Sequence, residues 1–378
     1  MAIDRRSFLL GTIAAVAACP GGSSAGGLAS GQRAVAFVSA AKRADGSFSI
    51  VLLAADGAIV RELPLSDRGH DIALHPATGR IVAFARRPGT FAVAFDALGT
   101  TEPQIFTAHT GRHFYGHGAF SRDGRRLYVS ENNIAGARGV IGIYDVSSGY
   151  KKIGEHASFG LGPHEIILLA DGQTLAVANG GLDTVPEAGR ENLNLDAMEP
   201  SLAFIDAETG VLRARHAMPQ DLKQLSIRHI AEDARGRVWF GGQWEGNLTA
   251  APPLIGFAGR DQPLQLIART TNSQSHPDAA GGPGLKGYIG SLAASRDGRI
   301  IAASAPKAGR IVYIDAETGV VAGDSLFRDG CGVAAVEDTE FAVTSGFGAF
   351  RFETARADVL SETQLRDLAF DNHLRRFG

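Results

Sequence analysis

The sequence predicts an all-β, seven-bladed β-propeller closed by pairing of its N- and C-terminal strands, and three observations predict it. The first is a repeat: a short apolar run, a tight turn, a second apolar run, a variable loop, then a third run ending in Asp and a Gly turn. The tight turns fall at 77–80, 122–125, 170–173, 234–237, 296–299 and 337–340, at intervals of 45, 48, 64, 62 and 41 residues. The second is the hexapeptide Ile-Asp-Ala-Glu-Thr-Gly, which stands at 205–210 and again at 314–319, at corresponding places in two repeats. The third is composition: 48 Gly and 15 Pro among 378 residues are too many turn formers for a helical protein.

Along the chain, residues 34–40, 48–54 and 58–63 read as three strands that lack an innermost partner. After each tight turn comes a β-rich run, at 81–84, 127–130, 175–178, 238–240, 300–303 and 341–344, which supplies the second strand of six blades. Four short strands about every 40–50 residues are the unit of a propeller blade. The missing innermost strand of the first blade is read at 372–377, Asn-His-Leu-Arg-Arg-Phe, which closes the ring and removes its exposed edges. A six-bladed ring with an unrelated tail is the alternative.

The N-terminus reads as an address. Asp4-Arg5-Arg6-Ser7-Phe8-Leu9-Leu10 places paired arginines before an apolar run, followed by Gly/Ser-rich sequence to about residue 31, the pattern of a twin-arginine export signal. Residues 1–31 are therefore expected to be signal peptide and linker, residues 32–378 a single propeller domain, and the protein periplasmic. Val16-Ala17-Ala18-Cys19 fits both a lipobox and an ordinary cleavage site, so a lipid anchor at Cys19 is a further expectation. The apolar core at 8–18 is too short to span a bilayer, and no transmembrane segment is expected in the mature chain. The other of the two cysteines, Cys331, then has no partner, which excludes an intramolecular disulfide. A balance of 37 Lys and Arg against 40 Asp and Glu leaves no basic field for nucleic acid.

The innermost strand of every blade lines the central channel, so residues at one place in the repeat become neighbours around an axis. The innermost strands are read to begin with Gly69-His70-Asp71, Gly116-His117-Gly118, Pro163-His164-Glu165, Arg228-His229-Ile230, Gly290-Ser291-Leu292, Cys331-Gly332-Val333 and Asn372-His373-Leu374. Five of these seven carry histidine, from a chain with 11. Converging imidazoles suit Fe, Cu or Zn, so His70, His117, His164, His229 and His373 are candidate metal ligands, with the Cys331 thiol as a further one. The competing role for the same histidines is structural, as hydrogen-bonding groups between blades.

The loops between second and third strands open on the same face, and with the approach to the third blade they give a small-ligand site at the channel mouth. Its candidate contacts are Arg112, His113, Tyr115, Glu131, Asn132, Glu165, Asn179, Gln243 and Lys286. Two stretches, 182–200 and 241–290, read as inserted loops on that face and are expected to form a binding site or lid. The chain carries no Walker loop, no strand–GxGxxG–helix unit, no GxSxG elbow and no HExxH or CxxC pair, so no reaction is specified.

Several longer motifs stand out: Gly-Arg-His-Phe-Tyr-Gly-His at 111–117, Gly-Pro-His-Glu at 162–165, Ala-Asn-Gly-Gly at 178–181, Gly-Arg-Glu-Asn-Leu-Asn-Leu-Asp at 189–196, Leu-Ser-Ile-Arg-His at 225–229 and Cys-Gly-Val-Ala at 331–334. With them the chain resembles an uncharacterised family of twin-arginine-exported bacterial propeller proteins often encoded beside imelysin-type iron-uptake lipoproteins and di-haem peroxidase-like proteins. The resemblance implies a periplasmic propeller linked to the acquisition of iron or another metal, with imelysin-like or other iron-uptake proteins as partners. Asn192 departs from it, since Lys is expected there. The leading expectation is a metal-binding accessory protein. One rival is a lactonase-like hydrolase or lyase, with His164 and His229 as acid/base groups oriented by Glu165. Another is an interaction platform whose histidines are structural.

Overall fold

The computed structural model describes residues 33–377 apart from 88, 137, 184–193, 251 and 268–282. The export motif, Cys19, residues 189–193 and part of each supposed insertion lie outside the described residues. From Val35 onward the chain forms one compact unit. Its described strands make seven four-stranded antiparallel sheets, each one blade of a ring.

Blade 1 joins the two ends of the chain. Phe37–Arg43, Phe48–Leu53 and Ile59–Leu65 are completed by the innermost strand Leu368–Arg376. Phe37 pairs with Arg376 and Arg43 with Leu368. Closure is thus by the C-terminal strand, and the ring has seven blades, not six. That strand begins four residues before the sequence reading, because Leu368 and Phe370 are buried against Phe37 and Phe350 and extend its apolar alternation. The first strand in turn starts three residues later than read. Blades 2 to 7 begin with the innermost strands Gly69–His75, Arg112–Phe120, Pro163–Leu168, Leu225–Glu232, Ser291–Ala294 and Gly330–Ala335.

Burial follows from each strand's place in the blade. Second and third strands are covered on both faces by neighbouring blades, and so read as continuous apolar runs such as Ile81-Val82-Ala83-Phe84, all buried. The outer strand Lys151–Ala157 faces water on one side and alternates exposed with half-buried residues. The stretch 241–290 is not one insertion, since it holds the third and fourth strands of blade 5, Ile255–Gly259 and Gln262–Leu266.

The repeated turns have a common chemistry. Asp123, Asp171 and Asp297 each accept a hydrogen bond from the backbone N–H two residues on, at 3.0, 2.8 and 3.1 Å. The duplicated hexapeptide is a second such device. Asp206 accepts from the N–H and hydroxyl of Thr209, and Asp315 from those of Thr318, all at 2.8 Å. Gly210 and Gly319 then take φ of 71° and 72°, a left-handed turn that a side chain would strain.

Candidate metal centre

In six of the seven blades the innermost strand slips register against its neighbour near its start. The slips fall between Gly69 and Ile72, Phe114 and Gly118, Pro163 and Ile166, Ile227 and His229, Gly330 and Val333, and opposite 371–373 in blade 1. Only the Ser291 strand runs without one. A bulge re-aims the side chains it carries. Here five of the six bulges carry the histidines, and all five imidazoles turn in on the ring axis.

His70, His117, His164, His229 and His373 are buried together, none more than 7% exposed. Their ring centroids stand 4.6 Å apart for His117 and His164, 4.8 Å for His70 and His373 and for His229 and His373, and 5.1 Å for His164 and His229. Two trios, His70/His117/His373 and His117/His164/His229, each bring ligand nitrogens within 4.8 Å of one another.

Carboxylates hold the rings from behind. His117 Nδ1 lies 2.8 Å from Asp71, His70 Nδ1 3.2 Å from Asp371 and His229 Nδ1 3.3 Å from Glu165. A carboxylate on Nδ1 fixes the proton there and leaves Nε2 as a lone pair, the orientation found behind metal-bound histidines. The Nε2 atoms of His117, His229 and His373 and Nδ1 of His164 are buried with no partner among the described residues. A buried polar atom left unsatisfied costs about 1–3 kcal/mol, so four are comparable with the whole stability of a domain unless something binds them.

The electrostatics keep four of these rings, His70, His164, His229 and His373, neutral. Burial pushes His70 down to about 3 against the pull of Asp371, and holds His164 and His373 well below the usual imidazole range. His229 is lowered by burial despite Glu165. Neutral imidazole is the form that ligates metal.

Arg375 forms the floor. Its guanidinium donates to both oxygens of Asp71, at 2.7 and 2.5 Å, and to Glu165 at 2.6 Å, while its far side lines a cavity of about 530 Å³ at the other end of the channel. Burial alone would raise Glu165, but Arg375 and His229 hold it down at about 2. A third group of potential ligands, Asp71/His117/Glu165, is therefore already neutralised by Arg375. Asp371 is gripped in the same way by Arg68 and Arg86.

The other candidate residues take different places. Cys331 does not join the histidines: its thiol lies in the apolar core with Phe370 and Leu374 and donates toward the Thr344 and Phe370 carbonyls at 3.4 and 3.6 Å. Burial pushes that thiol up to about 12, away from the thiolate a metal needs. Glu131 is likewise a blade strut, bound by the Tyr144 hydroxyl at 2.6 Å and Lys152 at 2.8 Å. Asn179 donates to the Ser158 carbonyl and Arg112 pairs with Glu155. His113, Tyr115 and Asn132 are buried in blade 3, His113 and Tyr115 ring against ring at 4.9 Å, and Lys286 is exposed. Gln243 alone of the nine ligand-contact candidates lines the small cavity above the histidines, while Glu165 sits behind His229.

Asp71, Asp371 and Arg375 complete the site without having been singled out by sequence. Two carried a signal: Asp71 directly follows His70 as Glu165 follows His164, and Arg375 lies two residues after His373, on the same face of its strand. Ser130 was also missed. Its hydroxyl reaches the carbonyls of His117 at 3.2 Å and His164 at 2.9 Å and so ties two ligand strands together. Ser130→Ala should cost about 1–3 kcal/mol in urea unfolding by leaving these carbonyls short of a donor. No measurable loss would show the tie to be incidental.

Among the described residues no helix is long and apolar enough to cross a membrane. The fold is similar to that of a solved chain of Kuenenia stuttgartiensis hydrazine synthase, with a TM-score of 0.62 at 12% identity over 84% of this chain and 95% of that one. No curated protein sequence matches this chain. Residues 63–377 match the family described as "Protein of unknown function (DUF1513)", and the chain belongs to that family.

Proposed function

We propose that the protein is an exported, periplasmic metal-binding propeller that holds one transition-metal ion, Fe, Cu or Zn, among its channel histidines and serves metal acquisition as an accessory protein. The observation that carries this is the buried imidazole cluster with four ring nitrogens lacking a partner among the described residues. The two trios share His117, whose Nδ1 is spent on Asp71. Only one nitrogen of His117 remains, so the trios describe one site rather than two. An all-imidazole donor set suits Zn, Cu and Fe over Mg or Ca, which prefer oxygen. The twin-arginine motif and the resemblance to propellers encoded beside imelysin-type proteins support the compartment and the role. The lactonase-like reading retains its orienting contact, Glu165 to His229 Nδ1 at 3.3 Å, but the space above the rings is about 40 Å³, too small for a lactone.

The test is elemental mass spectrometry of untagged mature protein recovered from the periplasm, beside a His117→Ala, His164→Ala double variant. About one equivalent of metal, lost in the variant while its circular dichroism persists, is the expected result. No metal above background, even after reconstitution with each ion, would leave the histidines as structural groups.

A further inference from the structure

The histidines do not seal their own chamber. On the side away from Arg375 lies a cavity of about 40 Å³, walled by His70, His164 and His229 below and by Arg86, Arg87 and Arg228 around its rim. Three arginines converging on so small a space are costly unless negative charge meets them. Arg228 is 5% exposed, the Glu245 carboxylate stands 3.5 Å away, and its Nε has no partner among the described residues. Arg86 shares Asp371 with Arg68 and His70, so one carboxylate answers two guanidiniums. Lys307 adds a further cation 4.5 Å over the ring of Tyr288, another wall residue. A divalent ion among neutral imidazoles would add positive charge beside Arg86 and Arg228.

The size of the cavity limits what can restore the balance. At roughly 10–15 Å³ per water-sized group, it takes about three or four such groups, the heavy atoms of a single carboxylate or carbonate. Guanidinium forks match a planar, two-oxygen anion. Asn372, whose amide donates to the Tyr288 hydroxyl at 3.1 Å, and Gln243 add neutral polar groups to the wall.

We propose that this cavity binds a small planar carboxylate-type anion, bicarbonate or the carboxylate of a short organic acid, held by Arg228 and its neighbours as the external ligand of the metal beneath. The proposal rests on the metal reading above and names what completes that site. Metal and anion then bind cooperatively, each compensating the charge of the other, and the anion is the handle by which the ion is admitted or released.

The mature protein is loaded with Cu(II) in bicarbonate-free sulfonate buffer, its copper content is measured, and it is titrated with bicarbonate, formate and, as a bulkier comparison, citrate. The d–d band and electron paramagnetic resonance spectrum are followed. Saturable shifts are expected with bicarbonate or formate, and the one that acts at lower concentration identifies the source. Arg228→Gln, and independently the near-isosteric Asn372→Asp, which puts a negative charge in the wall, should keep the copper while weakening the anion response about tenfold or more. Copper bound with a spectrum that none of the anions moves would overturn this proposal and leave the metal reading standing. Failure to bind copper in any buffer would overturn both.

Discussion

Replacing Arg375 by Met is expected to remove about 3–5 kcal/mol of folding stability, the cost of leaving buried charge without its partner. Asp71 and Glu165 are 2% and 1% exposed, and Arg375 is the only cation among the described residues that the two share. Without it two carboxylates face each other through His117 in a water-poor space, and the histidines they orient lose their reference. Arg375→Lys should fall between, since an ammonium keeps the charge but cannot reach both acids as the guanidinium fork does. The measurement is urea unfolding by tryptophan fluorescence. If uncompensated charge is the cause, Asp71→Asn and Glu165→Gln added to Arg375→Met should recover part of the loss. A loss below about 1 kcal/mol, the scale of an exposed ion pair, would mean that the floor of the site is not electrostatic.

The ring and the histidines were legible in the sequence because both rest on periodicity. Asp123, Asp171 and Asp297 must recur to close equivalent turns, and a residue at the start of one innermost strand has no choice but to meet its equivalents on the axis. The C-terminal strand was recognisable because a ring of odd pieces lacks one strand and His373 fits the place. What periodicity does not carry is direction within a strand. The observed register puts Cys331, one residue before the Gly332 of the sequence alignment, at the place of His70, but its thiol turns into the seam with Phe370, and Asn179 and Glu131 point into the blades. The bulges themselves leave no mark in composition. The charges behind the rings were hidden for a related reason: Asp371 and Arg375 belong to one chain end and bind His70 and Asp71 some 300 residues earlier, contacts that exist only after closure. Closure and site assembly are thus one event, since the strand that completes blade 1 also brings His373, Asp371 and Arg375.

Stripped of metal, the protein is expected to lose stability steeply as pH falls below about 6.5, the value of a solvated imidazole. The folded state holds His70 at about 3, His164 and His373 well below the ordinary range and His229 below it, burial being the main cause in each. Between those values and 6.5 the unfolded chain takes up protons that the fold refuses, so falling pH favours unfolding. Each such group contributes about 1.4 kcal/mol per pH unit, and four acting together give a slope of roughly 5 kcal/mol per unit, enough to consume a typical domain's stability within about one to three units. Asp71, Glu165 and Asp371 act in the same direction but lower down, since their depressed values give stability that is lost only as pH falls below about 4. The acid transition should therefore begin with the histidines. Urea midpoints measured at pH 7.5, 6.5 and 5.5 on chelator-treated protein read the slope, and His164→Gln with His373→Gln should flatten it by about half. Metal competes with protons for the same lone pairs, so the loaded protein should hold its midpoint to lower pH than the stripped one. A stripped protein equally stable at pH 7.5 and 5.5 would show that the imidazoles take up protons in the fold as readily as outside it, and the argument for a buried, neutral, metal-ready cluster would fall with that result.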